Sequence, residues 1–424
     1  MAFENTANYA QYHDYKNLKE RWQFIYKNLN LIDAISIDLI EILVCSHQKT
    51  WRNVVDMLWR RLYLKPLYEI LTSSKTLFSC DVPQRKDHLR LVQLMQESVY
   101  NSRLNILSYY FIPWFDVPFL VRSMCAVHKH VPASVSLVNR MFLSAKLVYF
   151  ARLTSQLNKQ FSDLNLADKN YVPFNSSAYT EALLTAFFNE KGTTTFHVFH
   201  GIFGRYLTSI PNDVVNGENL RTTKILTFSD MQKKDLHSDF GVLSNKMFVA
   251  GNPKYPYRSI HISGRWKTCL VLGGIADYDQ SLIALLHVLD RVAAVTHIDF
   301  FLKPHPHSHI LDNEALKQYK SIQILNSTKT LQELLASNVF DFAVTCNTSA
   351  YYECMYYGVV PFRWSVDENI NFHGFDDKFD NEESFMTLMD KYIHEDYVKL
   401  VSRMEQLLSE TWGVGINNYG HLII

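Results

Sequence analysis

Between residues 268 and 364, short apolar runs alternate with segments of helical periodicity. The runs have the length and composition of buried strands, and they read TCLVLGG, HIDFFLKPHP, FDFAVTC and VVPFRW. The intervening segments YDQSLIALLHVLDRVAAV, TLQELLAS and SAYYECMYYG have helical spacing. Strands that alternate with helices in this way form parallel sheets. The alternation therefore predicts a doubly wound, Rossmann-like α/β domain.

The N-terminal half carries a weaker form of the same pattern. Residues 193–199, 224–229 and 247–251 have strand character, and the helix AYTEALLTAFF is expected to be capped by Ser176 or Ser177. Residues 1 to about 130 favour helices instead. The stretch NPKYPYRSIHISG holds two prolines between two strands and predicts a linker between domains.

We therefore expect an α/β chain with two Rossmann-like domains and a helix-rich N-terminal portion. The predicted boundaries are 1–255 for the first domain (helix-rich over 1–130, Rossmann-like over 131–255), 256–394 for the second, and 395–424 for a C-terminal helix that packs back toward the first domain.

Charge and cysteine usage narrow the function classes. The chain has 42 basic and 42 acidic residues, so no global field attracts nucleic acid, which is not an expected partner. The six cysteines show no metal-binding spacing, which favours a reducing, cytoplasmic setting. No secretory signal is evident, and the longest apolar stretch is interrupted by Pro113, Asp116 and Pro118, which favours a protein that is soluble or peripheral on a membrane.

One segment, WRNVVDMLWRRLYLK, is a basic amphipathic helix in pattern. Its apolar stripe consists of Trp51, Val55, Leu58, Trp59 and Leu62. Such a stripe ordinarily faces a protein core, which is the interpretation that we adopt. The alternative is a helix that lies on an anionic membrane surface.

Unusual residues gather where strands end, which is where ligands bind in open α/β sheets. In the first domain, His200 and Gly201 follow the strand over 193–199. A histidine in a tight turn is the structural alternative. Gly251, Asn252 and Lys254 end this domain. Together with Gly201 they are candidate donor-binding residues, and Lys254 is a candidate phosphate ligand.

In the second domain, LKPHP places Lys303 and His305 at a strand end, with Pro306 stiffening the segment, and this pair suits a nucleotide. A metal site at His305, His307 and His309 is an alternative, but no carboxylate or cysteine nearby completes it. We predict no metal site and no cofactor.

Two further strand ends favour phosphate and ribose. Gly273 and Gly274 leave the backbone open to close approach by a phosphate, although neither GxGxxG nor a Walker A sequence is present. Thr348 and Ser349 begin a helix, where backbone N–H groups and hydroxyls suit an anion, and Glu353 one turn later suits a ribose. In the structural alternative, Ser349 is a helix cap and Glu353 favours the helix start electrostatically.

Together these residues resemble the GT-B glycosyltransferases, which have two Rossmann-like domains facing across a cleft. The similarity is to bacterial enzymes of capsule, lipooligosaccharide and teichoic-acid assembly, including CMP-sugar transferases and CDP-glycerol glycerophosphotransferases. Their His-Pro, serine/threonine and G-x-P motifs resemble His305-Pro306, Thr348-Ser349 and Gly251-Asn252-Pro253. The glycerophosphotransferases also have a His-Gly pair that resembles His200-Gly201. The resemblance covers about residues 190 to 365. The acidic pair that supplies the base in bacterial sialyltransferases is not matched at Asn189-Glu190.

The resemblance implies a glycosyltransferase that moves a sugar from a nucleotide donor to a glycan or lipid-linked glycan, with His200 as general base and no metal ion. CMP-activated sialic acid or Kdo is the first expectation, and UDP-hexose and CDP-polyol donors are alternatives. It also implies a cytoplasmic location with peripheral contact to the inner membrane. A nonhydrolysing nucleotide-sugar epimerase and a non-catalytic binding scaffold are the remaining alternatives.

Overall fold

The computed structural model describes residues 3–81, 86–113, 116–202, 204–306, 308, 310, 314–325 and 329–424. The strands of these residues, in chain order, are β1 Ile25–Tyr26, β2 Leu29–Asn30, β3 Arg60–Leu62, β4 Thr76–Cys80, β5 Ser102–Ile106, β6 Tyr109–Phe111, β7 Asn170–Pro173, β8 Thr194–Val198, β9 Arg205–Tyr206, β10 Lys224–Thr227, β11 Met247–Val249, β12 Thr268–Gly273, β13 Asp299–Lys303, β14 Ile322–Ile324, β15 Phe342–Cys346, β16 Val360–Trp364, β17 Ile370–Asn371 and β18 Lys378–Phe379.

The helices of the same residues are α1 Tyr9–Arg21, α2 Leu31–Ala34, α3 Ser36–Leu43, α4 Trp51–Trp59, α5 Lys65–Ser73, α6 Lys86–Glu97, α7 Val117–His130, α8 Leu137–Gln160, α9 Tyr179–Glu190, α10 Val215–Glu218, α11 Asp230–Phe240, α12 Asp279–Val295, α13 Leu331–Ala336, α14 Ala350–Tyr356, α15 Glu382–Ile393, α16 Tyr397–Leu407 and α17 Tyr419–Leu422. None of these helices is both long and apolar enough to cross a membrane.

The chain divides into two compact units. The first contains residues 1–203, 209–254 and 417–424, and the second contains residues 204–208 and 255–416. Each unit holds one six-stranded sheet, and every strand pair in both sheets is parallel. The α/β class with two Rossmann-like sheets, as in the GT-B fold, is confirmed.

The first sheet has the strand order β11-β10-β8-β7-β4-β5. The chain starts at β4, adds β5 on one side and then adds β7, β8, β10 and β11 on the other. The order therefore reverses between β4 and β7, which makes this pair the switch point where ligands bind in doubly wound sheets. On one face, Phe78, Val172 and Phe196 pack against Leu91 of α6 and Tyr419 of α17.

Two strands of this sheet lie in the segment for which the sequence favours helices. TLFSC forms β4 and SRLNI forms β5, and they pair in parallel from Thr76–Ser102 to Cys80–Ile106. All five residues of β4 are buried, so the strand lacks the alternation of apolar and polar residues that marks a half-exposed strand. The first sheet thus begins well before residue 131.

The prediction of a basic amphipathic helix in WRNVVDMLWRRLYLK is correct only for the first half of that segment. Helix α4 ends at Trp59, because the chain turns extended at Arg60 and pairs with β6 as strand β3. Leu58 and Leu62 are buried, as a core-facing stripe requires, but Trp51 and Val55 are exposed. The predicted core stripe is therefore wrong for those two residues.

The second sheet has the strand order β14-β13-β12-β15-β16-β18. It starts at β12, grows through β13 to β14 on one side and through β15 to β16 on the other. Its switch point therefore lies between β12 and β15. In the register, Leu272 of β12 stands between Lys303 of β13 and Thr345 of β15, so these three strands end together.

Candidate functional site

His200 follows β8 at the carboxyl edge of the first sheet, as the sequence predicts. Its half-buried ring packs against Phe174, with ring centroids 4.8 Å apart, and against His88 at 5.4 Å. The His88 ring also lies 4.9 Å from the Phe174 ring. Phe174 directly follows β7, so it belongs to the switch point of this sheet. Both imidazoles are therefore held at that switch point by one phenylalanine.

The turn after His200 is fixed through its backbone. Gln232 donates a hydrogen bond from Nε2 to the carbonyl of Gly201 at 3.3 Å, while its Oε1 accepts the N–H of Phe228 at 2.7 Å. Gln232 is in the first turn of α11, where Ser229 caps its N–H at 3.2 Å. The start of α11 thus positions the segment that carries His200.

His197 is the second histidine of this strand and has a different environment. It is buried, and its Nδ1 lies 2.5 Å from the hydroxyl oxygen of Ser176. Burial lowers the pKa of His197 to about 3, with the nearby His200 as a smaller cause. His197 is therefore neutral at cellular pH and is a structural residue.

The same contact corrects the predicted helix cap. The residue before α9 is Ala178, and no side chain caps the helix. Ser176 bonds to His197 instead, and the Ser177 hydroxyl shares its one hydrogen between the side-chain oxygens of Asn175, at 3.0 Å, and Asn216, at 2.8 Å. The hydroxyls of both serines, which lie in the loop between β7 and α9, therefore make other hydrogen bonds and do not cap the helix.

A buried carboxylate, Glu181, holds this loop from the first turn of α9. It accepts the N–H groups of Phe174 at 3.1 Å and Asn175 at 3.0 Å, and the Ser79 hydroxyl at 2.5 Å. Burial raises the pKa of Glu181 to about 8 and the charge of Asp81 adds to this, although the three hydrogen bonds oppose the shift. The carboxyl group is therefore largely protonated at neutral pH.

Asp81 follows β4 on the other side of the switch point. Its carboxylate accepts hydrogen bonds from the hydroxyl of Tyr109 and from the N–H of Thr180, the latter at 3.4 Å. The adjacent Tyr179 has a φ of 56°, a left-handed conformation that is strained for a bulky residue. Strain of this kind concentrates at functional sites, so Asp81 and Tyr179 join the candidate site.

Among these residues, His200 is predicted from the sequence, whereas His88, Asp81 and Glu181 are not. Recognition of β4 would have placed Asp81 directly after a buried strand, which is the signal used for His200. His88 and Glu181 lie inside helices, and their spacing carries no signal because their partners are distant in sequence.

The segment after β11 forms a turn. Gly251 has a φ of 87°, which favours glycine, and its carbonyl accepts the Tyr419 hydroxyl at 3.0 Å. The Asn252 side chain accepts the N–H of Lys254 at 3.2 Å. Gly251 and Asn252 therefore have structural roles here, and their donor-binding role, like that of Lys254, stays a prediction.

In the second unit, the two glycines at the end of β12 have packing roles. A Cβ atom on Gly273 would lie 2.5 Å from Leu282 Cδ2, and one on Gly274 would lie 2.8 Å from the carbonyl oxygen of Asn347. Because Asn347 follows β15, Gly274 lets the ends of the two switch-point strands approach closely. This accounts for both glycines without a phosphate.

Asn347 organises the loops beside this switch point, a role that the sequence analysis missed. Its side-chain oxygen accepts the N–H groups of Asn369 at 2.8 Å and Ile370 at 3.2 Å, and its amide donates to the carbonyl of Asp367 at 3.2 Å. Its φ of 49° is left-handed, which asparagine tolerates better than most residues.

Thr348 and Ser349 precede α14, as predicted, but local bonds occupy the start of this seven-residue helix. The N–H of Ala350 bonds to the Thr348 hydroxyl at 3.3 Å, and the N–H of Tyr352 bonds to the Ser349 carbonyl at 3.1 Å. Ser349 makes no side-chain capping bond. The hydroxyls of Thr348 and Ser349, rather than the helix start, are thus the groups to consider for a ligand.

Lys303 ends β13, and its Nζ donates to the carbonyl of Lys329 at 3.2 Å. Burial lowers the pKa of Lys303. His305 and Pro306 follow in a turn in which the Ser308 N–H bonds to the His305 carbonyl at 2.9 Å. The Ser308 hydroxyl anchors this turn to Asp279, at 2.5 Å. His307 and His309 lie outside the described residues.

Glu353 is engaged by a buried tyrosine. Tyr255 hydrogen-bonds to Glu353, and the Tyr255 hydroxyl accepts Nε2 of Gln332 at 2.9 Å. Burial, and then the Glu353 charge, raise the pKa of Tyr255. Lys329, whose carbonyl accepts the Lys303 bond, lies just before α13, and Gln332, which bonds to Tyr255, lies in the first turn of that helix. The start of α13 therefore contacts the surroundings of both Lys303 and Glu353. Among the described residues, no group of histidine, cysteine and acidic side chains is arranged to hold a metal ion.

Comparisons with known proteins bear on the fold only. No protein-family model and no curated protein matches the chain. Solved structures with some similarity include S. aureus TarM in complex with fondaparinux, alpha-GlcNAc-glycerol and UDP (12% identity, 62% of this chain and 56% of that chain, TM-score 0.41). Others are the UDP-GlcNAc 2-epimerase from Neisseria meningitidis (10%, 82% and 98%, 0.45) and the pneumococcal O-GlcNAc transferase GtfA (11%, 62% and 57%, 0.39). The chain thus spans little more than half the length of TarM and GtfA. At these values no activity or substrate carries over.

Proposed function

We propose that this chain transfers a sugar from a nucleotide-activated donor to a glycan acceptor. The observation that supports this best is the arrangement at the second switch point. Gly274 follows β12, Lys303 is the last residue of β13, and Thr348 lies two residues after β15; these three neighbouring strands end together. Ligands of doubly wound sheets bind at such carboxyl ends.

In this proposal the donor phosphate binds to Lys303. An ammonium group has three donors, and the Lys329 carbonyl takes one of them, which fixes the side chain at the strand end. The others are directed to the phosphate, where the cation stabilises the charge that grows as the nucleotide leaves. His305 and the hydroxyls of Thr348 and Ser349 complete the phosphate ligands.

Glu353 is the proposed ribose ligand. The Glu353 carboxylate already accepts a hydrogen bond from the hydroxyl of Tyr255. A ribose hydroxyl would take the place of the tyrosine hydroxyl in that hydrogen bond. CMP-activated sialic acid or Kdo is the donor proposed first, because His305-Pro306 resembles the His-Pro motif of CMP-sugar enzymes. A UDP-sugar or a CDP-polyol is the alternative.

On the acceptor side, we propose His200 as the general base. An imidazole titrates near cellular pH and can take a proton from an acceptor hydroxyl. The neighbouring His197 cannot serve, since it is buried and hydrogen-bonded to Ser176. Phe174 and His88 would hold the His200 ring in place for the reaction.

A thermal-shift panel of CMP, CDP, UDP, GDP and ADP tests the proposal on the full chain. A ligand that binds only the native state raises the melting temperature, so at least one nucleotide is expected to do so. A response to CMP or CDP supports the proposed donor, while a response to UDP alone favours the alternative donor. If none of the five raises the melting temperature, the proposal fails. Release of a free epimer of the sugar nucleotide in the absence of any acceptor would identify an epimerase instead.

A further inference from the structure

Exposed apolar residues are concentrated in β6, in the residue that follows it and in the first half of α7, all in the first unit. Six large apolar side chains with exposed fractions of 38% to 60% lie within fifteen residues of sequence. They are Tyr110, Phe111, Ile112, Val117, Val121 and Met124, and we call them the apolar face. Isolated exposed apolar residues are ordinary, but such a concentration marks an interaction site.

The local structure explains why these side chains remain outside the core. Strand β6 pairs with β3, and no second partner for it is found among the described residues. On α7, Val117, Val121 and Met124 are spaced by four and three residues and so share one face, whereas Ser123 and Val127 are the buried residues of the helix. The apolar face is therefore presented by regular structure.

The surrounding sequence is strongly basic. Residues 98–162 contain seven lysines and arginines but one acidic residue, Asp116, in a chain whose total charge is zero. Lys146 is buried in an ion pair with Asp38, so it does not contribute to the surface charge. The exposed cations of this segment are Arg103, Arg122, Lys129 and Lys159. Asp116 caps α7 by accepting the Phe119 N–H at 3.1 Å. Arg122 and Lys129 are exposed on α7 itself, and Arg60 stands opposite Phe111 in the β3–β6 ladder.

We propose that the apolar face docks on a lipid bilayer that contains anionic lipids. Apolar side chains would enter the boundary between headgroups and acyl chains, and the basic residues would lie against the lipid phosphates. Aromatic side chains such as Tyr110 and Phe111 suit this boundary. A protein partner fits less well, because every basic group here would need an acidic counterpart, whereas an anionic bilayer supplies negative charge across the whole surface. The inference does not depend on the proposed glycosyltransferase activity.

Sedimentation of the full chain with vesicles tests this docking. The vesicles consist of phosphatidylcholine alone or of phosphatidylcholine mixed with phosphatidylglycerol. We expect stronger binding to the anionic vesicles and loss of that preference at high salt. Equal binding to both compositions, or no binding to either, would overturn the proposal.

A double variant, Phe111→Asp with Val121→Asp, identifies the surface. It should bind anionic vesicles at least about tenfold more weakly, because it removes two exposed apolar groups that would enter the bilayer and adds two negative charges. The matched control is Val295→Asp with Val398→Asp, two exposed valines on α12 and α16, and it should bind like the natural chain. Binding by the Phe111/Val121 variant that equals the control would overturn the assignment of the face.

Two measurements separate this outcome from misfolding and self-association. If the Phe111/Val121 variant has a lower melting temperature than the natural chain, the double variant Arg122→Glu with Lys129→Glu is tested instead, since both side chains are exposed. About fivefold weaker binding is expected for each charge removed, and unchanged binding would refute the charge complementarity. Gel filtration of the natural chain should show a monomer. A dimer that is absent in the Phe111/Val121 variant would mean that a second copy of the chain, and not a bilayer, covers the apolar face.

Discussion

The ring of His200 packs against the ring of Phe174 with 4.8 Å between their centroids and 32° between their planes. The two residues come from the ends of adjacent strands, β8 and β7. Phe174 is itself fixed, because its N–H donates to the buried carboxyl group of Glu181 at 3.1 Å. The orientation of the His200 imidazole thus depends on the loop after β7, which the hydrogen bond between Phe174 and Glu181 holds in place.

Replacement of His200 by alanine should slow sugar transfer by about a hundredfold or more, the usual loss when a general base is removed. Nucleotide binding should be unchanged, since the phosphate and ribose ligands proposed above, Lys303, His305, Thr348, Ser349 and Glu353, belong to the second unit. Turnover is measured with the sugar derivative of whichever nucleotide gives the largest thermal shift. His421→Ala, at an exposed histidine of the same unit, is the control. Full activity of His200→Ala would remove His200 as the base.

Lys303→Ala should weaken nucleotide binding by about tenfold or more, because it removes a charged donor to the phosphate. Titration calorimetry with the stabilising nucleotide measures the change, and Lys320→Ala provides an exposed lysine of the same unit as control. Nucleotide binding by Lys303→Ala that matches the control would place the phosphate elsewhere.

Four of the six strands of the second sheet, β12, β13, β15 and β16, were predicted because each forms a mainly apolar run and helical segments lie between them. The short strands β14 and β18 were not predicted. The prediction also failed at β4, where Thr76 and Ser79 interrupt the five buried residues TLFSC and give neither an apolar run nor a strict alternation. Since β4 is the first strand of its sheet, that omission hid the switch point and with it Asp81.

Residue chemistry was easier to predict than residue role. His200 and Lys303 were found because both follow apolar strands. The roles of Ser176 and Gly274 depend on partners distant in sequence, His197 and Asn347, and a single sequence does not reveal such pairs. Glycine in particular has the same appearance in a ligand-binding turn and in a tight packing contact.

The glycines themselves provide a test of this distinction. Gly274→Ala should destabilise the protein by about 1–3 kcal/mol, the usual cost of overpacking, because the added methyl group would lie 2.8 Å from a backbone oxygen. Gly201→Ala should change stability by less than about 0.5 kcal/mol, since nothing lies within 4 Å of its Cβ position and its φ is not positive. Urea unfolding measures both. Equal effects of the two substitutions would show that the close contact at Gly274 is relieved at little cost.

His197 predicts a loss of stability in acid. Its pKa falls from 6.5 in the unfolded chain to about 3 in the folded protein, so the unfolded state binds more protons between these values. The free energy of unfolding should therefore decrease as the pH falls from 6.5 toward 3. In His197→Asn this contribution should be absent, and His421→Asn is the exposed control. Identical pH dependence in His197→Asn and the natural chain would contradict the assignment.

Glu181 predicts the opposite slope at higher pH. Its pKa rises from 4.5 in the unfolded chain to about 8 in the folded protein, mainly through burial, so the folded state retains a proton that the unfolded state has lost. The free energy of unfolding should decrease as the pH rises from 4.5 toward 8, and between pH 4.5 and 6.5 this effect of Glu181 opposes that of His197. Glu181→Gln cannot ionise and should remove this slope.

The Glu181→Gln substitution should also lower the free energy of unfolding by about 1–3 kcal/mol, because the NH₂ group of the glutamine would face a backbone N–H whose hydrogen bond the carboxyl group now accepts. The comparison uses urea unfolding at several pH values, with the exposed Glu97→Gln as control. A slope that persists in Glu181→Gln would mean that Glu181 is not the group that holds the proton.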